Sequence, residues 1–203
     1  MTTAYNNTIS LSTVVYTYSQ TWPAAVTMNT GSSSNTFSNC DIRGGLAYGM
    51  SLTGGANYNT ISQSTVTSNP AAVYLSASSS NTIQDSFIRS SAEHAIHITG
   101  SGGTLLTGNT LVATQADQCN IYTEDDANAI VNLFITSNTM YASPSTGWGA
   151  GVRIQDVTNH KVRGVIVIAS NTMYGGFAGI DLTGYFATGT KVLISSNTIH
   201  MLS

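Results

Sequence analysis

The chain has 203 residues, enough for one large domain or two small ones, and only 7% of them are charged, against about 25% in an ordinary globular domain. A formal charge of −3 excludes the basic surface that nucleic acid demands, and no apolar run approaches the roughly 20 residues of a membrane span. With 41% hydrophobic residues, disorder for want of apolar side chains is excluded as well.

The first ten residues, MTTAYNNTIS, lack the basic start and apolar stretch of a signal peptide. They already hold the first copy of a repeat. Asn-Thr followed by an apolar residue begins at Asn7, Asn35, Asn59, Asn81, Asn109, Asn138, Asn171 and Asn197, at steps of 28, 24, 22, 28, 29, 33 and 26 residues. A second signature lies between these copies: AAVTMNT, YGMSLTG, AAVYLSA, HAIHITG, CNIYTED, AGVRIQD and AGIDLTG. Its first inward apolar positions are Val26, Met50, Val73, Ile96, Ile121, Val152 and Ile180, at steps of 24, 23, 23, 25, 31 and 28 residues.

Both signatures alternate with period two, which excludes helical solenoids, and the leucine-asparagine pattern of leucine-rich repeats is absent. The spacing predicts an all-β single-stranded parallel β-helix of about eight coils in one domain over 1–203. With rungs stacked about 4.8 Å apart, the rod is about 40 Å long. Each Asn is expected to take the left-handed turn at a sheet corner and to bond its amide up and down the stack. The apolar residue two places on (Ile9, Phe37, Ile61, Ile83, Leu111, Met140, Met173 and Ile199) is expected to form one core column.

Toward the C-terminus the interval between the two signatures grows, and VNLFITSNT, VRGVIVIASNT and TKVLISSNT read as an extra strand that thickens the rod. The chain opens inside a coil and stops at IHMLS without a capping helix, so it is expected to be a segment of a longer protein or to have its ends covered by a partner. Cys40 and Cys119 are expected to be small buried residues.

On these repeats the chain resembles the right-handed parallel β-helix superfamily, which includes pectate lyases, polygalacturonases, alginate epimerases, phage tailspikes and surface adhesins. That resemblance implies the fold along the whole chain and leaves activity open. Polygalacturonases carry an Asp-Asp pair, a Gly-His-Gly and an Arg-Ile-Lys. Here Asp125-Asp126 resembles the pair and Arg153-Ile154-Gln155 the last motif, but the histidine motif is missing and Gln replaces Lys.

Aligning the second signature gives an outward column of Thr27, Ser51, Tyr74, His97, Tyr122, Arg153 and Asp181, and a second of Asn29, Thr53, Ser76, Thr99, Glu124, Gln155 and Thr183. With Asp125, Asp126 and Asp156 this strip holds five of the nine acids. In an enzyme, Asp126, Arg153 and Asp181 would be catalytic, as acid, base or uronate partner. Tyr74, His97, Tyr122, Glu124 and Asp156 would hold substrate, and Asp125 with Asp126 could bind Ca²⁺, the one cofactor the composition suggests. Without catalysis, the strip is a row of exposed side chains with an ion pair from Arg153 to Asp181 or Asp156.

His94 falls in a column with Ala24, Tyr48, Ala71, Cys119, Ala150 and Ala178 that is expected to face inward, and Trp148 reads as a corner-packing residue, with a sugar platform as the alternative. The function expected is a structural or adhesive rod that contacts a cell-surface glycan, placed outside the cell, on its surface or on a virion, with homotrimeric or end-to-end association. The alternative is a polysaccharide lyase or hydrolase.

Overall fold

The structure, a computed structural model, describes residues 4–17, 24–124, 130–144, 147–155, 162–184 and 186–201. It is built of short strands, with no helix among the described residues. The strands follow one another through three parallel sheets in strict rotation. Sheet 1 runs from Thr8–Ser10 to Lys191–Ser195, sheet 2 from Thr13–Val15 to Thr198–His200, and sheet 3 from Ala24–Met28 to Ala178–Thr183. Sheets 1 and 2 have eight strands and sheet 3 has seven. Each strand pairs in parallel with the strand one turn earlier and one turn later, so the chain is a parallel β-helix.

Three files of side chains fill the interior. Sheet 1 contributes Ile9, Phe37, Ile61, Ile83, Leu106, Ile135, Ile168 and Ile194. Sheet 2 contributes Val14, Ile42, Val66, Ile88, Leu111, Met140, Met173 and Ile199. The inward file of sheet 3 is the one the second signature predicts, Val26 through Ile180. Away from the terminal turns these residues are buried, and they form one continuous core. Close stacking of aliphatic side chains with their counterparts one rung away removes both sides from water, at about 25 cal/mol per Å² of apolar surface.

The single core column expected from Asn-Thr-apolar is in fact two. Ile9, Phe37, Ile61 and Ile83 lie in sheet 1, whereas Leu111, Met140, Met173 and Ile199 lie in sheet 2. The signature changes corner between the fourth and fifth turns. Asn81 is followed one turn later by Thr104, and Asn109 is preceded by Ser86. The extra C-terminal strand is a consequence of the same change. Val131–Thr136, Arg163–Ala169 and Lys191–Ser195 are the sheet 1 strands of their turns, longer than Thr36–Ser38 or Thr60–Ser62 but not additional.

Both corners use asparagine in the same way. Asn35 donates its backbone N–H and its Nδ2–H to Asn59 Oδ1, each at 3.0 Å, and Asn59 does the same to Asn81. At the other corner Asn109 donates to Asn138, Asn138 to Asn171 and Asn171 to Asn197. Each Nδ2 also reaches back to a carbonyl, such as that of Leu106 from Asn138 at 2.9 Å. The amide ladder is therefore as expected, but these asparagines do not take the left-handed turn. That conformation belongs to the residue before each of them: Asn6, Ser34, Tyr58 and Ser80 at one corner, Gly108, Ser137, Ser170 and Ser196 at the other. The turn residue swings the chain, and the next residue then directs its amide into the stack.

Cys40 and Cys119 are buried free thiols, as expected. No helix among the described residues is long and apolar enough to cross a membrane.

Candidate functional site

The outward face of sheet 3 assembles the predicted strip in the predicted register. Thr27, Ser51, Tyr74, His97, Tyr122, Arg153 and Asp181 are successive partners across the sheet. Thr53, Ser76, Thr99, Glu124, Gln155 and Thr183 form the parallel file two positions on. Asp125, Asp126 and Asp156 lie outside the described residues. Among the described residues, no three His, Cys, Asp or Glu side chains come together as a metal site would require.

Aromatic rings stack along the face. Tyr48 lies flat on Tyr74, with centroids 5.0 Å apart and planes 10° apart, and His97 meets Tyr74 edge-on at 5.3 Å. His94 stacks on Tyr122 at 4.4 Å and touches His97 at 5.6 Å. His94 and Tyr48 thus belong to the outer face, contrary to the inward column expected for them. The chain turns just before the sheet 3 strand, so Ala95, not His94, packs against the core. The sequence carries a signal for this: two large polar rings in a column otherwise filled by alanine and cysteine do not fit inside a close-packed rung.

The polar groups of the face bind one another. Glu124 Oε1 lies 3.1 Å from His97 Nε2, and Glu124 Oε2 accepts from the Tyr122 hydroxyl at 2.9 Å. Gln155 Oε1 is 3.1 Å from the same hydroxyl, which has only one proton. Turned end for end, the Gln155 amide donates to that oxygen while the hydroxyl donates to Glu124. The hydrogen bond from His97 holds the Glu124 carboxyl below the usual range, against the opposing effect of burial. Burial, reinforced by Glu124, pushes the Tyr122 hydroxyl well above its ordinary value. Tyr48 is pushed up to about 12, again chiefly by burial. His94 is lowered to about 3 by burial and by neighbouring His97, and its Nδ1 accepts the Cys119 backbone N–H at 2.9 Å, which fixes a neutral ring.

One strand further on, Arg153 is 8% exposed, an unusual degree of burial for arginine on an outward position. Its guanidinium sits 4.7 Å over the Trp148 ring, and its Nε lies 3.3 Å from Asp181 Oδ2. Nε makes no aligned hydrogen bond, so this pairing is coulombic rather than a directed bond. Asp181 also accepts from Thr183 Oγ1 at 2.7 Å. The ion pair expected from the sequence is therefore present. Trp148 is not packed in a corner: it is 65% exposed, held by its backbone N–H to Asp117 Oδ1 at 3.3 Å. With Phe177, 61% exposed, it lines a groove of about 550 Å³ at the last strand of sheet 3, together with Asp181 and Thr183. Phe177 carries no signal in the periodic pattern, because it lies in a turn.

Residues 24–164 match the family described as the right-handed β-helix region, well over half of the chain. The chain belongs to that family. Comparison with curated proteins and with solved structures found no match.

Proposed function

We propose that this β-helix is a structural or adhesive rod that binds a glycan along the outward face of sheet 3, and that it works outside the cell or on a virion. The observation that carries the reading is the groove between Trp148 and Phe177, where two exposed aromatic rings share a lining with Asp181 and Thr183. Aromatic faces take up the C–H side of sugar rings, and a carboxylate and a threonine hydroxyl beside them take up sugar hydroxyls. The rings of Tyr74 and Tyr122 are already stacked on neighbours, so the exposed Trp148 and Phe177 are the better platforms.

The protonation states favour binding over turnover. A glycosidase acid needs a carboxyl with a raised pKa, and Glu124 is held low. Tyr122 keeps its proton and His94 stays neutral with one nitrogen occupied, which leaves no poised acid–base pair among these groups.

The test is a panel of neutral and acidic oligosaccharides titrated by calorimetry, with parallel assays for new reducing ends and unsaturated uronates, with and without Ca²⁺. Binding without turnover, weakened roughly tenfold by Trp148→Ala, is expected from the loss of about 1.4 kcal/mol of contact. Turnover abolished by Arg153→Ala would replace the rod with the lyase or hydrolase reading.

A further inference from the structure

A second groove lies on a different face. It opens on sheet 2, holds about 600 Å³, and is lined by Arg43, Gly45, Leu46, Thr67, Asn69 and Arg89, among others. Arg43, Thr67 and Arg89 are successive register partners, so the two guanidinium groups project from one outward column two rungs, about 9.5 Å, apart. These are two of only six Lys and Arg side chains in a chain of net charge −3.

Local structure shapes the groove. The register between Asp41–Gly45 and Thr65–Ser68 shifts between Arg43 and Gly45, and the chain then turns, closed by the Ala47 N–H on the Gly44 carbonyl at 3.0 Å. Gly45 takes φ of +60°, and Leu46 is lifted outward, 47% exposed, as one wall. Asp41 holds the Arg43 fork, with Nε to Oδ1 at 3.1 Å and Nη2 to Oδ2 at 2.5 Å, yet 60% of that side chain remains exposed. Arg89 is exposed, with no carboxylate within ion-pair distance among the described residues. Glu93, four residues on, turns its carboxylate to the Ala71 N–H at 3.3 Å.

We propose that this groove binds an acidic oligosaccharide lying along the rod axis, with sugar carboxylates on the open fork of Arg89 and on the guanidinium edge of Arg43 that Asp41 leaves free, and sugar hydroxyls on Thr67 and Asn69. Guanidinium forks match carboxylates in pairs. The neutral polar lining and one exposed leucine suit the hydroxyl and C–H faces of a sugar. An extended acidic peptide has no purchase by strand addition, because the three strands under the groove are paired on both sides. The site is independent of the Trp148–Phe177 groove.

The experiment is calorimetric titration of the whole protein with oligogalacturonate, its methyl ester and poly-glutamate of equal charge, repeated for Arg43→Gln, Arg89→Gln, Trp148→Ala and Lys191→Gln. Circular dichroism checks that each variant keeps its strands. Oligogalacturonate is expected to bind, with affinity falling as salt rises. Affinity should drop roughly tenfold in each arginine variant and for the methyl ester, the scale of one lost charge-assisted contact. Lys191→Gln, at a basic residue outside both grooves, should leave it unchanged. Absence of binding, equal binding of poly-glutamate, or unchanged binding in Arg89→Gln overturns the proposal. Loss in Trp148→Ala alone would place acidic sugars on sheet 3 instead.

Discussion

The first four turns and the last four carry the same tripeptide at different corners, and the contrast shows what an asparagine ladder needs. In the early turns Asn35, Asn59 and Asn81 stack where sheet 3 gives way to sheet 1. In the later turns Asn109, Asn138, Asn171 and Asn197 stack where sheet 1 gives way to sheet 2. Where a corner carries a ladder, a left-handed residue is followed by one whose side chain accepts a backbone N–H from the neighbouring turn. Before Asn109 that acceptor is a hydroxyl: Ser64 Oγ takes the Cys40 N–H and Ser86 Oγ takes the Ser64 N–H, both at 3.1 Å. After Asn81 the other corner turns apolar, through Thr104 to Leu133 and Ile166. One full amide ladder thus replaces the other along the rod.

Breaking a ladder in mid-stack should have the largest effect. Asn138→Ala removes the acceptor for the Asn109 N–H and Nδ2–H and the donor to the Leu106 carbonyl, all buried. Unsatisfied buried groups of this kind predict a loss of about 3–5 kcal/mol, read as a shift in urea midpoint. Asn7→Ala, at an exposed position of the first turn, should lose less than about 1 kcal/mol. Equal losses at the two positions would mean that the ladder is not cooperative.

Neither ladder titrates, so acid sensitivity should come from the sheet 3 face. The His94 pKa is depressed from 6.5 to about 3, so the unfolded chain binds the extra proton between those values. Stability is therefore full above the unfolded pKa and falls as pH drops through that window, by on the order of 3 kcal/mol near pH 4. Glu124, also held low, adds to the loss at the acid end. His94→Gln should flatten the melting temperature between about pH 6 and pH 4, and an unchanged profile would place the acid-sensitive group elsewhere.

A smaller effect should follow from extending the early ladder by one turn. Thr104 is fully buried with its Oγ1 unpartnered, directly beyond Asn81. Thr104→Asn supplies an acceptor for Asn81 and should stabilise by about 1 kcal/mol, a rise in Tm of about 2–4 °C for a chain of this size. Destabilisation would show that apolar packing at this corner ends the ladder. The smallest change is at the turns themselves. Ser34→Gly and Ser170→Gly relieve left-handed serines at φ of 58° in the two corners, and each should raise stability by about 0.5 kcal/mol. A difference between them would show that the corners are not equivalent in strain.

Much of the architecture was legible in the residues. Period-two alternation around Val73, Ile96 and Ile121 is a local property, and it placed Tyr74, His97, Tyr122, Arg153 and Asp181 in one outward file that the register reproduces. Where the chain turns, alternation lapses, and there the reading went astray. His94, two residues from an inward isoleucine, faces out because a corner lies between them, and Trp148 stands in a turn that no periodicity governs.

By itself the sequence determined a stack of rungs, an amide ladder and the outward file of sheet 3, because these follow from side-chain type and from the two-residue pleat. Only the tertiary structure decided which corner each asparagine occupies. Asn81 to Thr104 and Ser86 to Asn109 each span 23 residues, and the apparent step of 28 from Asn81 to Asn109 includes a change of corner. The tripeptide suits either corner equally well, so the choice rests on what the adjacent rung offers its amide. The two grooves are also tertiary, since each is made by turns from different rungs brought together only when the rungs stack.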